Sequence, residues 1–260
     1  MSSEPEDLDP KEQPLVAHLI ELRDRILRCF IVVIVVFVAI YAWANDIYMF
    51  VSAPLTSLLD LEAGERMIAT DPTSSFFAPF KLTFMVAVFI CIPYILHQAW
   101  AFIAPGLYRN EIRVTFPILV SSIVLFYVGV SFAYFLVFDF LFGFFVAAAP
   151  DNVAVMTDIN LYLSFVLRMF MVFGIVFEIP IATVLLILTG VTTSKDLAKK
   201  RGYVVIACFA IAIPLTPADP FSQSILAIPM WMLFELGLFA SRLIHKPEEE
   251  VEAAEAAESE

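Results

Sequence analysis

The feature that most constrains this chain is a series of apolar runs of membrane length, near residues 26–44, 77–100, 116–138, 161–189, 203–215 and 223–241. A bilayer core about 30 Å thick takes roughly 20 helical residues at 1.5 Å each. In lipid the backbone must satisfy its own hydrogen bonds, which an α-helix does within one segment. The expected fold is therefore all-α, a polytopic membrane protein with six transmembrane helices. The third run reads as continuing helically to about residue 148. The fifth spans 13 residues before Thr216-Pro217. Such a run must thin the bilayer, stop short of the far face or pack behind longer helices. Pro93, Pro180 and Pro229 fall inside runs, where each frees a carbonyl and bends its helix. Several bent helices around one axis would make a concave wall.

Composition agrees. Apolar residues are 61% of the 260 and charged ones 16%, against roughly 45–50% and about 25% in a soluble domain. The net charge of −12 sits in the tails: residues 1–12 hold five acids and one base, residues 248–260 seven glutamates and no base. Between them 15 acids face 14 bases, so the body is nearly neutral. Three domains follow: an acidic disordered tail over 1–14, a six-helix membrane domain over 15–243, and a second acidic disordered tail over 244–260. Acidic tails also argue against nucleic acid as a partner. Cys29, Cys91 and Cys208 stand singly in apolar runs, so neither a disulfide framework nor a metal site is signalled, and no cofactor is expected. An acidic start, with the first apolar run near residue 26, is not the pattern of a cleavable signal peptide.

Lysine and arginine set the orientation. With the N-terminus inside, twelve of the fifteen basic residues fall on the cytoplasmic side, and only Arg66, Lys81 and Arg168 fall outside. Both termini are therefore expected in the cytoplasm. Residues 45–76 and 142–160 form the outer segments, marked by Asp71-Pro72 and Pro150-Asp151-Asn152.

Three groups of polar residues stand out. Before the first run, Leu15, Leu19, Leu22 and Ile26 share one helical face, predicting an amphipathic helix lying on the membrane. Glu21 within it stands four residues from Arg25, a spacing that forms a simple helical ion pair. In the cytoplasmic loop 98–111, Trp100, Phe102 and Tyr108 sit where interfacial aromatics anchor, and Glu111 lies between Arg109 and Arg113, where a solvated ion pair is a sufficient reading. At membrane depth, Glu178 costs roughly 2.5–3.5 kcal/mol on insertion scales, so it must face the bundle interior, be protonated or find a partner. Asp219 and Gln223 follow Thr216-Pro217 at the outer turn, where Asp219 or Ser222 also suits a helix cap.

The stretches His18-Leu19-Ile20-Glu21-Leu22-Arg23, Trp100-Ala101-Phe102-Ile103-Ala104-Pro105-Gly106-Leu107-Tyr108 and Phe177-Glu178-Ile179-Pro180 together resemble the TatC family of twin-arginine translocase subunits. Ser52-Ala53-Pro54-Leu55 and Phe221-Ser222-Gln223 add to the resemblance, which runs from about residue 14 to 243; Gly106 and Pro220 depart from it locally. It implies a bacterial cytoplasmic-membrane protein that binds twin-arginine signal peptides together with TatB. Such a protein then recruits TatA and moves folded proteins outward on the proton motive force, as a multi-copy receptor and not as an enzyme. By the same resemblance Glu21 and Glu111 face the arginine pair, with Arg23, Phe102 and Leu15 on the same surface. Pro54, Glu178, Asp219 and Gln223, with Thr216 beside them, correspond to partner-docking or interior polar positions, and Glu178 is expected to form a polar site with Gln223 or a neighbouring group. The physics fits: a guanidinium offers a planar fork that a carboxylate grips through two hydrogen bonds, which an ammonium cannot match.

A proton- or ion-coupled small-solute transporter is the alternative that an intramembrane acid raises. It would show internal repeats and several polar groups converging at mid-membrane. Hydrolytic chemistry has little to work with, since neither an HExxH nor a GxSxG motif occurs.

Overall fold

The computed structural model describes residues 13–56, 67–103, 112–147, 157–189, 191–214 and 220–244, and every element of regular structure among them is helical. Both acidic tails lie outside the described residues. Helix α1 (Gln13–Ile40) passes through a 3-10 turn at Tyr41–Trp43 into α2 (Ala44–Thr56). The amphipathic segment is thus the first part of one long helix and not a separate one lying on the membrane. No Gly or Pro falls between Leu15 and Ala44 to break it, so the helix propagates at one hydrogen bond per residue. The outer segment expected over 45–76 likewise begins as helix.

Helices α3 (Ser74–Ile90) and α4 (Ile92–Ile103) form one bent pair, turning by 53° at Cys91. Helix α5 (Ile112–Phe132) runs through a π turn at Ala133–Val137 into α6 (Phe138–Ala147). Helix α7 (Ile159–Val176) breaks at Phe177-Glu178 before α8 (Ile179–Leu188), with Pro180 in its first turn, where a missing N–H costs nothing. After the short α9 (Ser194–Lys199) come α10 (Arg201–Ala212) and α11 (Pro220–Ile244). Pro229 lies inside α11, which runs through it uninterrupted.

Among the described residues, four stretches are long and apolar enough to cross a membrane: His18–Ala53, Phe116–Phe145, Ile159–Leu188 and Pro220–Ser241. The bent pair supplies a fifth. Helix α10 is apolar but only 12 residues long, about 18 Å of rise. It is the short member expected from the fifth run.

Helix α7 occupies the centre, with Leu163, Val166, Met169 and Phe173 wholly buried. Helix α1 is the most peripheral: Val33 packs with Ala87 and Cys91, while Ile31, Val35 and Val38 face outward. A helix apolar all round yet exposed has lipid for its outer solvent. Glycines let backbones meet inside the bundle. A Cβ on Gly129 would lie 2.6 Å from the Phe173 carbonyl oxygen, and one on Gly237 would lie 2.8 Å from Pro180 Cα.

Proline explains two tyrosines. Pro93 has no N–H to offer the Phe89 carbonyl one turn back, and the Tyr127 hydroxyl of α5 donates to that oxygen at 2.9 Å. Pro54 leaves the Phe50 carbonyl in the same state, and Tyr134, in the π turn, donates to it at 2.7 Å. An unpaired carbonyl in lipid costs several kcal/mol, so each bare oxygen draws a donor from a neighbouring helix.

The end of the bundle where α7 begins is tied by Asp158. Its carboxylate caps α7 by accepting from the Asn160 and Leu161 N–H groups at 2.9 and 3.0 Å. It also accepts from the Thr70 N–H at 3.0 Å and the Thr70 hydroxyl at 2.5 Å. A short bridge between Ile68 and Asp158 runs alongside. The Thr70 hydroxyl first, then the Leu161 and Thr70 N–H groups, hold this carboxyl down to about 2.

Candidate functional site

At the other end, where α1 begins and α4 ends, Glu21 meets a guanidinium that is itself held by two helices. Arg25 donates to Glu21 Oε1 through Nε at 3.0 Å and Nη2 at 2.5 Å. Its Nη1 donates to the Gln98 side-chain oxygen at 3.1 Å and to the Gln98 carbonyl at 3.4 Å, and Nη2 also donates to the Ala101 carbonyl at 3.1 Å. The Ala101 carbonyl lies in the last turn of α4, where it has no helical donor. All five guanidinium donors are thereby used. The spacing of Glu21 and Arg25 is thus a helical ion pair, as the sequence allowed, but one that also fastens α1 to α4.

Both donors converge on Oε1. Glu21 Oε2 lies 4.0 Å from His18 Nδ1, and the Glu21 side chain is 40% exposed. The His18 ring stacks on Phe102 of α4, with centroids 4.1 Å apart and planes 14° from parallel. Phe102 is thus linked to the Glu21 carboxylate through the His18 ring. Arg23 does not join them: its Nε and Nη2 pair with the neighbouring Asp24 at 2.9 and 2.7 Å. Ile20, Glu21, Asp24, Arg25 and Arg28 line a shallow groove on this surface. Glu111 and the Leu15 side chain lie outside the described residues.

The second site is interior. Ser122 of α5 donates to Glu178 Oε2 at the break between α7 and α8, and Oε1 is buried with no partner among the described residues. The described hydrogen-bond partner of Glu178 is thus a serine and not Gln223. Gln223 lies in the first turn of α11, half-buried, while Gly237 is the α11 residue that meets α8 beside Glu178. At 1.5 Å per residue that is about 21 Å along the axis. Asp219, Thr216 and the Pro54 side chain lie outside the described residues; the backbone of Pro54 is in α2.

Sequence reasoning passed over Gln98 and Ser122, which are joined to Arg25 and Glu178 only by the fold. For Tyr127 a partial signal existed, because Pro93 inside its run announces a carbonyl needing a donor, though not which donor; Pro54 stood in an expected outer segment and gave none for Tyr134.

Fold and site define a multi-pass helical membrane protein with a guanidinium-bound carboxylate at one end and a buried carboxyl within. Residues 17–229 match the model of the Sec-independent protein translocase protein (TatC) family, and the chain belongs to that family. It is 52% identical over 240 residues to the Sec-independent protein translocase protein TatC of Haemophilus influenzae, covering 92% of this chain and 93% of that one. It is 56% identical over 230 residues to TatC of Escherichia coli K12, covering 88% of each. A crystal structure of a twin arginine translocase receptor, TatC, superposes with a TM-score of 0.76 at 32% identity, covering 87% of this chain and 98% of that chain. The protein is accordingly a translocase subunit of the membrane, not an enzyme.

Proposed function

We propose that this chain is the signal-peptide receptor of a twin-arginine export system in a bacterial cytoplasmic membrane, with both termini in the cytoplasm. Glu21 and Glu111 read the arginine pair, on a surface shared with Phe102, Leu15 and Arg23. TatB completes the receptor, TatA is recruited to move folded cargo on the proton motive force, and several copies assemble. Glu178, Gln223, Asp219, Thr216 and Pro54 serve partner docking.

The observation that carries this reading is the state of Glu21. The carboxylate is fixed through Oε1, while Oε2 accepts no hydrogen bond among the described residues and the side chain is 40% exposed, beside the end of α4 that leads into the segment holding Glu111. A fixed, half-open carboxylate at a bundle end suits an arginine of an incoming peptide. The orientation is supported by the twelve basic residues counted to one side.

The test is capture of a twin-arginine peptide by the full chain in nanodiscs, with its twin-lysine counterpart as reference. The arginine form should bind at least tenfold tighter, about 1.4 kcal/mol, and replacing Glu21 and Glu111 together with Gln should abolish the preference. Undiminished capture by that double variant sinks the proposal. For docking, cysteines placed beside Glu178 should trap a partner's transmembrane helix, and crosslinks to lipid probes alone would count against it.

A further inference from the structure

A receptor that prefers arginine to lysine at Glu21 cannot do so there by gripping the guanidinium with both carboxylate oxygens. Oε1 already accepts two hydrogen bonds from Arg25, and Arg25 is itself anchored to Gln98 and Ala101. Oε2 alone can still accept one or two N–H groups, but without the side-on fit of both oxygens that a guanidinium makes and an ammonium cannot. With that fit lost, selectivity at this position gains from a second contact, one sensitive to the flat, delocalised shape of arginine.

The His18 ring stands in the right place. It lies one helical turn before Glu21, with Nδ1 4.0 Å from the open Oε2 and 54% of its side chain exposed. Phe102 covers one ring face at 4.1 Å, and no ring is stacked on the other face among the described residues. Guanidinium groups stack on aromatic faces, combining plane-to-plane contact with cation–π attraction, whereas an ammonium is a compact, strongly hydrated point charge.

We propose that His18 is a specificity-determining residue: the guanidinium of one signal-peptide arginine lies flat against its exposed face while giving a hydrogen bond to Glu21 Oε2. Phe102 backs the ring, and Arg25 is the positioning residue that keeps Oε2 as the open oxygen. This rests on the signal-peptide reading above and adds the source of discrimination at Glu21.

The experiment uses the full chain in nanodiscs and two synthetic peptides, each an apolar segment preceded by either an Arg-Arg or a Lys-Lys pair. For His18→Ala, binding of the Arg-Arg peptide should weaken by about three- to tenfold, and binding of the Lys-Lys peptide should change by less than about twofold. His18→Phe keeps a ring of the same placement and should hold Arg-Arg binding within about twofold of the unaltered chain. Equal weakening of both peptides by His18→Ala, or a loss in His18→Phe matching that in His18→Ala, overturns the inference in favour of a packing role. So does unchanged Arg-Arg binding in both His18 variants while Glu21→Gln still impairs it, and then the receptor reading survives alone. If Glu21→Gln leaves Arg-Arg binding intact, the receptor reading at Glu21 falls and takes this inference with it.

Discussion

The Tyr127 hydroxyl donates, across two helices, to the Phe89 carbonyl that Pro93 leaves bare. One side chain thus compensates a backbone defect in another helix, at the point where α3 and α4 bend by 53°. The pairing makes the bend a property of two helices instead of one.

Tyr127→Phe should destabilise the protein by about 0.6–1.7 kcal/mol, the range for interhelical hydrogen bonds in membranes. Pro93→Ala restores the missing N–H, so Tyr127→Phe should cost little in that background. Unfolding measured for both single variants and the double forms the cycle. Equal cost of Tyr127→Phe in the two backgrounds would show that packing, not the hydrogen bond, is responsible.

Asp158 gives a pH dependence with a definite sign. Its carboxyl is lowered from 3.8 to about 2 in the folded protein, so the folded state favours the ionised form. That stabilisation is complete above the ordinary carboxylate value and drains away as pH falls from near 3.8 toward 2. Acid unfolding of Asp158→Asn should begin from a lower stability at neutral pH and show a shallower decline across that window. Parallel curves for the two proteins would contradict the assignment.

At Gly129 the added methyl of alanine meets a carbonyl oxygen at 2.6 Å and the Phe177 ring carbon at 2.8 Å. Helices α5 and α7 must separate, at a cost of about 1–3 kcal/mol. At Gly143 a Cβ has nothing within 4 Å, so Gly143→Ala is the control and should be neutral or slightly stabilising. Detergent-induced unfolding midpoints of the two variants decide the matter.

Ser122 supplies the described hydrogen bond to Glu178. Ser122→Ala strands a buried carboxyl group, and leaving such a group unsatisfied costs about 1–3 kcal/mol. Adding Glu178→Leu removes the stranded group and should recover much of that loss. A double variant less stable than Ser122→Ala alone would mean that Glu178 has a further stabilising contact.

The helical class of the fold was legible in the residues, because apolar runs of bilayer length admit few structures and each run is a local property. So was the shortness of α10, and so were the stretches holding Glu21, Phe102 and Glu178. Whether Glu21 merely pairs with Arg25 could be posed from their spacing but not resolved into one closed and one open oxygen, since Gln98 and Ala101 approach from another helix. Pro93 announced a bare carbonyl by lacking an N–H, yet Tyr127 was assigned to it only by helix packing; Pro54 stood in an expected outer segment, and only the helical structure of α2 made its partner Tyr134 visible. Gln223 and Glu178 looked like companions by type, and the register of α11 against α8 places them almost four turns apart. Sequence determines what lies along one helix, where rise and hydrogen bonding are fixed by chemistry. Which face of one helix meets another depends on how all the side chains fill the space between them, and that the tertiary structure alone decided.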